Sequence, residues 1–129
     1  MRQSGTKDES TLLVLQNVVM YEYNAKLIRV IDGDTIDASI DLGFNVWIMK
    51  RVRLYGIDAP ESRTRDLKEK KKGIESKQKL QELIGTNEGN FILKSHGVGK
   101  YGRCLGTIYI NGCNLNEKLI NEGFAKEYK

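Results

Sequence analysis

The sequence holds a single proline and only two cysteines in 129 residues, and it contains no long apolar run. A bilayer-spanning helix needs about 20 consecutive apolar residues, so no membrane partner is expected. No internal repeat, low-complexity tract or Pro/Gly/Ser-rich linker divides the chain, and its length suits one domain with one core. The first twenty residues, MRQSGTKDESTLLVLQNVVM, carry acids where a signal peptide needs a basic start, and they lack a small-x-small cleavage site. No signal peptide is read, and a cytoplasmic setting is favoured. Residues 1–20 are an unplaced extension, with TLLVLQNVVM an extra strand or an arm, ahead of one domain over 21–129. The periodic pattern begins after Met20, so both Met1 and Met20 stay open as the start.

The two cysteines flank LGTIYING. If Asn111-Gly112 makes a two-residue hairpin turn, Ile110 faces Cys113, and Cys104 lies six residues further along its strand. At the rise of an extended chain the sulfurs are then about 20 Å apart, far beyond disulfide reach. Free thiols packed as small hydrophobes are expected, as in a reducing compartment. Neither has the His or Cys partners of a zinc site.

What the chain does have is an ordinary globular mixture, 40% apolar and 29% charged, with a formal charge of +4 and a pI near 9.0. That balance suits an anionic partner. The basic excess is local: residues 62–79 hold eight Lys or Arg against three Asp or Glu. Alone, such a run is a solvated face; beside a site that needs a polyanion it gains meaning.

Hydrophobic alternation marks strands. AKLIRVI (25–31) leads into the Asp32-Gly33 turn, and Ile36, Ala38, Ile40 and Leu42 then share one face. GFN (43–45) turns the chain back into VWIMKRVRLY (46–55). There Val46, Ile48, Val52 and Leu54 share a face, and Lys50 exposes one end. GIESKQKLQELIG (73–85) reads as a helix with Ile74, Leu80, Leu83 and Ile84 as its stripe and Gly85 as its C-terminal cap. NFILKS (90–95) and RCLGTIYI (103–110) are further strands. Asn114 caps a short helix that Gly123 stops, with Leu115, Leu119 and Phe124 facing the core. Three strands, a helix, two strands and a helix do not alternate as parallel α/β folds do. The expected fold is α+β: an antiparallel five-stranded Greek-key barrel of the OB type with two or three packed helices.

Several charged positions fall outside this pattern. Asp34 opens a strand just after a turn, and Asp32 reads as an ordinary turn residue. Arg53 points away from the apolar face of its strand. In RVRLYGIDAPESR (51–63), Asp58 and Glu61 bracket Ala59-Pro60, and the proline presents both carboxylates on a stiff extended corner. Arg103 follows Lys100-Tyr101-Gly102 at the mouth of another strand. Three acids able to hold a hard cation and two guanidiniums able to hold a phosphate form a coherent set.

VIDGDTI (30–36), VRLYGIDAPE (52–61) and GKYGRCLGTIYINGCNLNEKLINEGFAK (99–126) resemble the staphylococcal nuclease family in order and spacing, over about residues 24–128. The resemblance implies calcium-dependent hydrolysis of phosphodiester bonds in DNA and RNA with little sequence specificity, by a monomer. It further implies that Asp34, Asp58 and the backbone carbonyl of Ala59 ligate Ca2+. Glu61 then orients or deprotonates the attacking water, and Arg53 and Arg103 grip the scissile phosphate. Lys100 and Tyr101 match positions that contact a second phosphate, and Tyr128 is the one match to a base-stacking aromatic. Three departures stand out. Alanine replaces the family's frequent threonine at position 59, and the given sequence ends at Lys129 without the family's usual C-terminal helix. The hairpin DLGFNVWIMK is long and is expected to extend over the substrate groove. The competing reading is a non-catalytic nucleic-acid-binding module on the same barrel, which needs basic charge but no acid trio.

Overall fold

In the computed structural model, residues 21–128 are described; the extension 1–20 and the start at Met1 or Met20 lie outside the described residues. The elements in chain order are β1 (Tyr21–Asp32), β2 (Thr35–Asp41), β3 (Trp47–Leu54), β4 (Ile57–Asp58), α1 (Leu67–Gly85), β5 (Asn90–Val98), β6 (Cys104–Ile110), β7 (Cys113–Asn114), α2 (Leu115–Asn121) and β8 (Lys126–Glu127). A 3-10 turn, Lys100–Gly102, joins β5 to β6.

The main sheet runs β3-β2-β1-β5-β6-β7 and closes on itself through a β3–β6 pairing. Each neighbouring pair along that order is antiparallel, but β3 and β6 are parallel, with Val52 opposite Cys104 and Leu54 opposite Gly106. The expected all-antiparallel barrel is therefore corrected to a mixed one. The reason is arithmetic. Four antiparallel steps link five strands, so the two end strands point the same way and can close only in parallel.

The alternating residues fill the barrel. Ile36, Ala38, Val52, Leu54 and Ile108 are at most 1% exposed, each large one contributing about 1.5–3 kcal/mol of burial. Leu80 and Ile84 of α1 and Leu115 and Leu119 of α2 cover the same core. Phe124 packs against its edge, while Leu42 and Val46 lie exposed near the hairpin tip instead of continuing their stripes.

Helix α1 starts two turns earlier than its apolar stripe suggests. The Asp66 carboxylate caps it by accepting from the N–H groups of Lys68 (3.0 Å) and Glu69 (3.3 Å), so charge and capping rather than burial define its first turns. Ile74 is exposed, and the small residues Gly73 and Ser76 take the inner face in its place. Gly85 is the last helical residue rather than the cap, which is Thr86. The Asn111-Gly112 turn forms as expected, both residues at positive φ and Ile110 opposite Cys113. Both cysteines are free, but Cys113 is exposed; only Cys104 packs as a small hydrophobe.

The β2–β3 hairpin does not cover the groove. Its register sets Thr35 opposite Arg53 and Asp41 opposite Trp47. The GFN turn thus lies at the other end of the ladder, about 20 Å away at 3.3–3.4 Å per residue.

Candidate active site

Where β1 turns into β2, the chain presents Asp34, 7% exposed. Both of its carboxylate oxygens and its carbonyl have partners. One carboxylate oxygen accepts from the Thr35 hydroxyl (2.9 Å), the other from the Ala59 N–H (2.8 Å), and its backbone carbonyl accepts from the Leu54 N–H (2.8 Å). The side chain is thereby aimed before any ligand arrives. Across the ladder, opposite Thr35, Arg53 donates to the carbonyls of Ile57 (2.9 Å) and Leu54 (3.3 Å). Its two terminal nitrogens lie 3.4 Å from Asp34 Oδ2 and 3.5 Å from Asp58 Oδ1. These contacts are longer than the 2.7–2.9 Å of a tight charge-assisted bond. Arg53 is the only cation within 4 Å of either carboxylate among the described residues. Two acids of one sign thus share a single counter-charge.

Glu61 is held through its backbone. Its N–H donates to Glu69 Oε2 (3.2 Å), and Asp32 Oδ1 takes both the N–H (3.2 Å) and the hydroxyl (2.5 Å) of the next residue, Ser62. Helix α1 backs this corner at Gly73, where an added Cβ would stand 2.2 Å from the Glu61 carbonyl oxygen. Only glycine permits that approach. Arg103 follows the 3-10 turn. Its guanidinium sits 5.6 Å from the Tyr101 ring centre, and its Nε donates to the Lys100 carbonyl (3.4 Å).

The structure brings Asp34, Arg53, Asp58, Ala59, Glu61 and Arg103 around one open depression of about 530 Å³. A second depression of about 630 Å³ shares Arg53, Asp58 and Arg103 and adds Lys100, Tyr101 and Tyr128. Tyr128 reaches it because β8 pairs with β4 and its own N–H donates to the Gly56 carbonyl (2.9 Å). Its ring centre lies 5.8 Å from the Arg53 guanidinium. Among the described residues no three His, Cys, Asp or Glu side chains converge as a ready cation cage. The available oxygen set is two carboxylates and neighbouring carbonyls.

The family model for the staphylococcal nuclease homologue matches residues 51–129. The chain belongs to the staphylococcal nuclease family. Among curated proteins it is 29% identical to Protein ParB of Escherichia coli over 127 residues, covering 92% of this chain and 64% of that one. It is 30% identical to an uncharacterized endonuclease of Haemophilus influenzae, covering 81% and 52%. It is 35% identical to the staphylococcal-like nuclease CAN1 of Arabidopsis thaliana, covering 60% and 22%. The chain thus spans less than two thirds of the length of these relatives.

Three further residues line the depression of this staphylococcal nuclease domain: Asp32, Thr35 and Arg63. Asp32 passes for a turn residue in the sequence because its partner, Ser62, is 30 positions away. Arg63 is the first base of the 62–79 run and the signal was there, directly after Glu61. Beyond it, Lys68, Lys71 and Lys72 are exposed, while the nearby acids are occupied: Asp66 caps α1 and Glu69 holds the Glu61 N–H. The basic run therefore borders the site.

Proposed function

We propose that this staphylococcal nuclease domain is a calcium-dependent nuclease that hydrolyses phosphodiester bonds of DNA or RNA with little sequence specificity. The observation that carries the reading is the sharing of Arg53 between Asp34 and Asp58, beside Glu61 and Arg103. The donors present fit a hard cation. Asp34, Asp58 and the Ala59 carbonyl are all oxygen ligands, and calcium takes six to eight, leaving positions for water and a phosphate oxygen. Bound there, the ion would polarise the phosphoryl group and steady the charge that develops on it.

The chain's own groups do the rest. Arg53, held against Asp34 and Asp58 by contacts of 3.4 and 3.5 Å, would turn its paired donors to the phosphate, and Arg103 would grip the same phosphate. Guanidinium geometry matches phosphate oxygens in pairs and keeps its charge at any working pH. Glu61, exposed on its stiff corner, orients the attacking water and accepts its proton. Lys100 and Tyr101 would hold a neighbouring phosphate, and Tyr128 offers a ring for a base.

The test is cleavage of single-stranded DNA and of RNA by the purified chain with calcium, with magnesium and with excess chelator. Cleavage in calcium alone supports the reading. Binding without cleavage under every metal would make this a nucleic-acid-binding module instead.

A further inference from the structure

The only histidine of the chain lies outside the site just described. His96, on β5, stacks on Tyr55 with ring centres 4.0 Å apart and planes 5° from parallel. Its Nε2 shares a hydrogen bond with the Thr107 hydroxyl (2.9 Å), which helps hold the imidazole parallel to the tyrosine ring. Burial and the nearby Lys94 push its pKa below the usual histidine value, so the stack is one of neutral rings at neutral pH. Tyr55 nevertheless keeps 49% of its surface exposed.

This pair sits at a depression of about 320 Å³ that also includes Lys94, Thr107 and Glu127. Tyr55, Gly56 and Ile57 line both this depression and the one that holds Lys100, Tyr101, Arg103 and Tyr128. Gly56, without a side chain, is the saddle between them. Glu117 and Glu127, which also line the hollow, offset Lys94, so it is less suited to a phosphate than to an uncharged, flat group. A polynucleotide offers one at every residue.

We infer that the Tyr55–His96 stack is a nucleobase platform, taking a base of a single strand that continues past the Lys100–Tyr101 depression over Gly56. The inference rests on the nuclease reading for its substrate class, but not on catalysis. Stacking on a preformed aromatic surface is tolerant of base identity, so the platform favours longer single strands without adding sequence specificity.

The experiment measures binding of fluorescein-labelled dT8, and of an abasic octamer with the same phosphates, by anisotropy in chelator so that turnover is absent. Tyr55→Ala should bind dT8 about tenfold more weakly, a step typical of losing one stacked base. Tyr55→Phe should bind it like the parent. The abasic strand should bind the parent and Tyr55→Ala alike, and thermal melting checks that each variant is folded. Equal losses on dT8 and on the abasic strand, unchanged dT8 binding in Tyr55→Ala, or no binding of dT8 by the parent would each overturn the platform. Absence of cleavage in calcium with the predicted binding pattern intact would remove the nuclease reading and leave the platform standing.

Discussion

Asp32 accepts two hydrogen bonds from Ser62, from its N–H at 3.2 Å and its hydroxyl at 2.5 Å. A residue from the β1–β2 turn thus ties down the chain immediately after Glu61. Asp32→Ala should lower kcat by about a hundredfold, the scale on which a misplacement of roughly 1 Å acts, with calcium affinity nearly unchanged. Asp32→Asn keeps an acceptor oxygen and should retain most of the activity. An Asn variant as impaired as the Ala variant would mean that the charge of Asp32, not the clasp, is what matters.

Gly73 is the second support of the same corner. A methyl group there meets the Glu61 carbonyl oxygen at 2.2 Å and the Ser62 nitrogen at 2.6 Å, both backbone atoms that cannot swing away. Gly73→Ala should cost about 1–3 kcal/mol in denaturant unfolding, the usual scale of overpacking, and should lower turnover as Glu61 is displaced. A variant as stable and active as the parent would show that the helix does not press on the corner.

Asp37 provides a pH signature away from the site. Its buried carboxylate meets Arg51 at 2.8 and 3.1 Å and Arg29 at 2.7 Å. The Arg51 hydrogen bonds hold its pKa below the ordinary value of 3.8, against the opposing effect of burial. A folded-state pKa below the unfolded one gives stability that is fully present above the unfolded value and is lost as pH falls through the folded value. Asp37→Asn should therefore be less stable than the parent at pH 7 in urea unfolding, and the gap should close below about pH 4. A gap independent of pH would assign the effect to packing.

Much of this was legible in the sequence, for identifiable reasons. Strand alternation placed Ile36, Ala38, Val52 and Leu54 inside because one barrel face is fully dry. Asp34, Arg53, Asp58, Glu61 and Arg103 stood out because no strand or turn needed them, and all five line one depression. The remainder depended on long-range geometry. The first turns of α1 carry LKEKKK, with Leu67 79% exposed, so periodicity was silent and the Asp66 cap was the available signal. β4 and β8 are two residues each, too short for any pattern, yet their pairing delivers Tyr128 to Arg53. The Asp32–Ser62 contact and the direction of the β2–β3 hairpin follow from register, which local sequence does not reveal.

The most direct measurement is single-turnover cleavage of single-stranded DNA by Glu61→Gln, together with calcium binding by calorimetry in the presence of substrate. Glu61 is exposed and touches the structure mainly through its backbone, so the variant should fold and bind calcium like the parent. Its cleavage rate should fall by about two to four orders of magnitude, the range for loss of a positioned general base. A rate close to the parent's would contradict the role of Glu61 and the hydrolytic mechanism built on it.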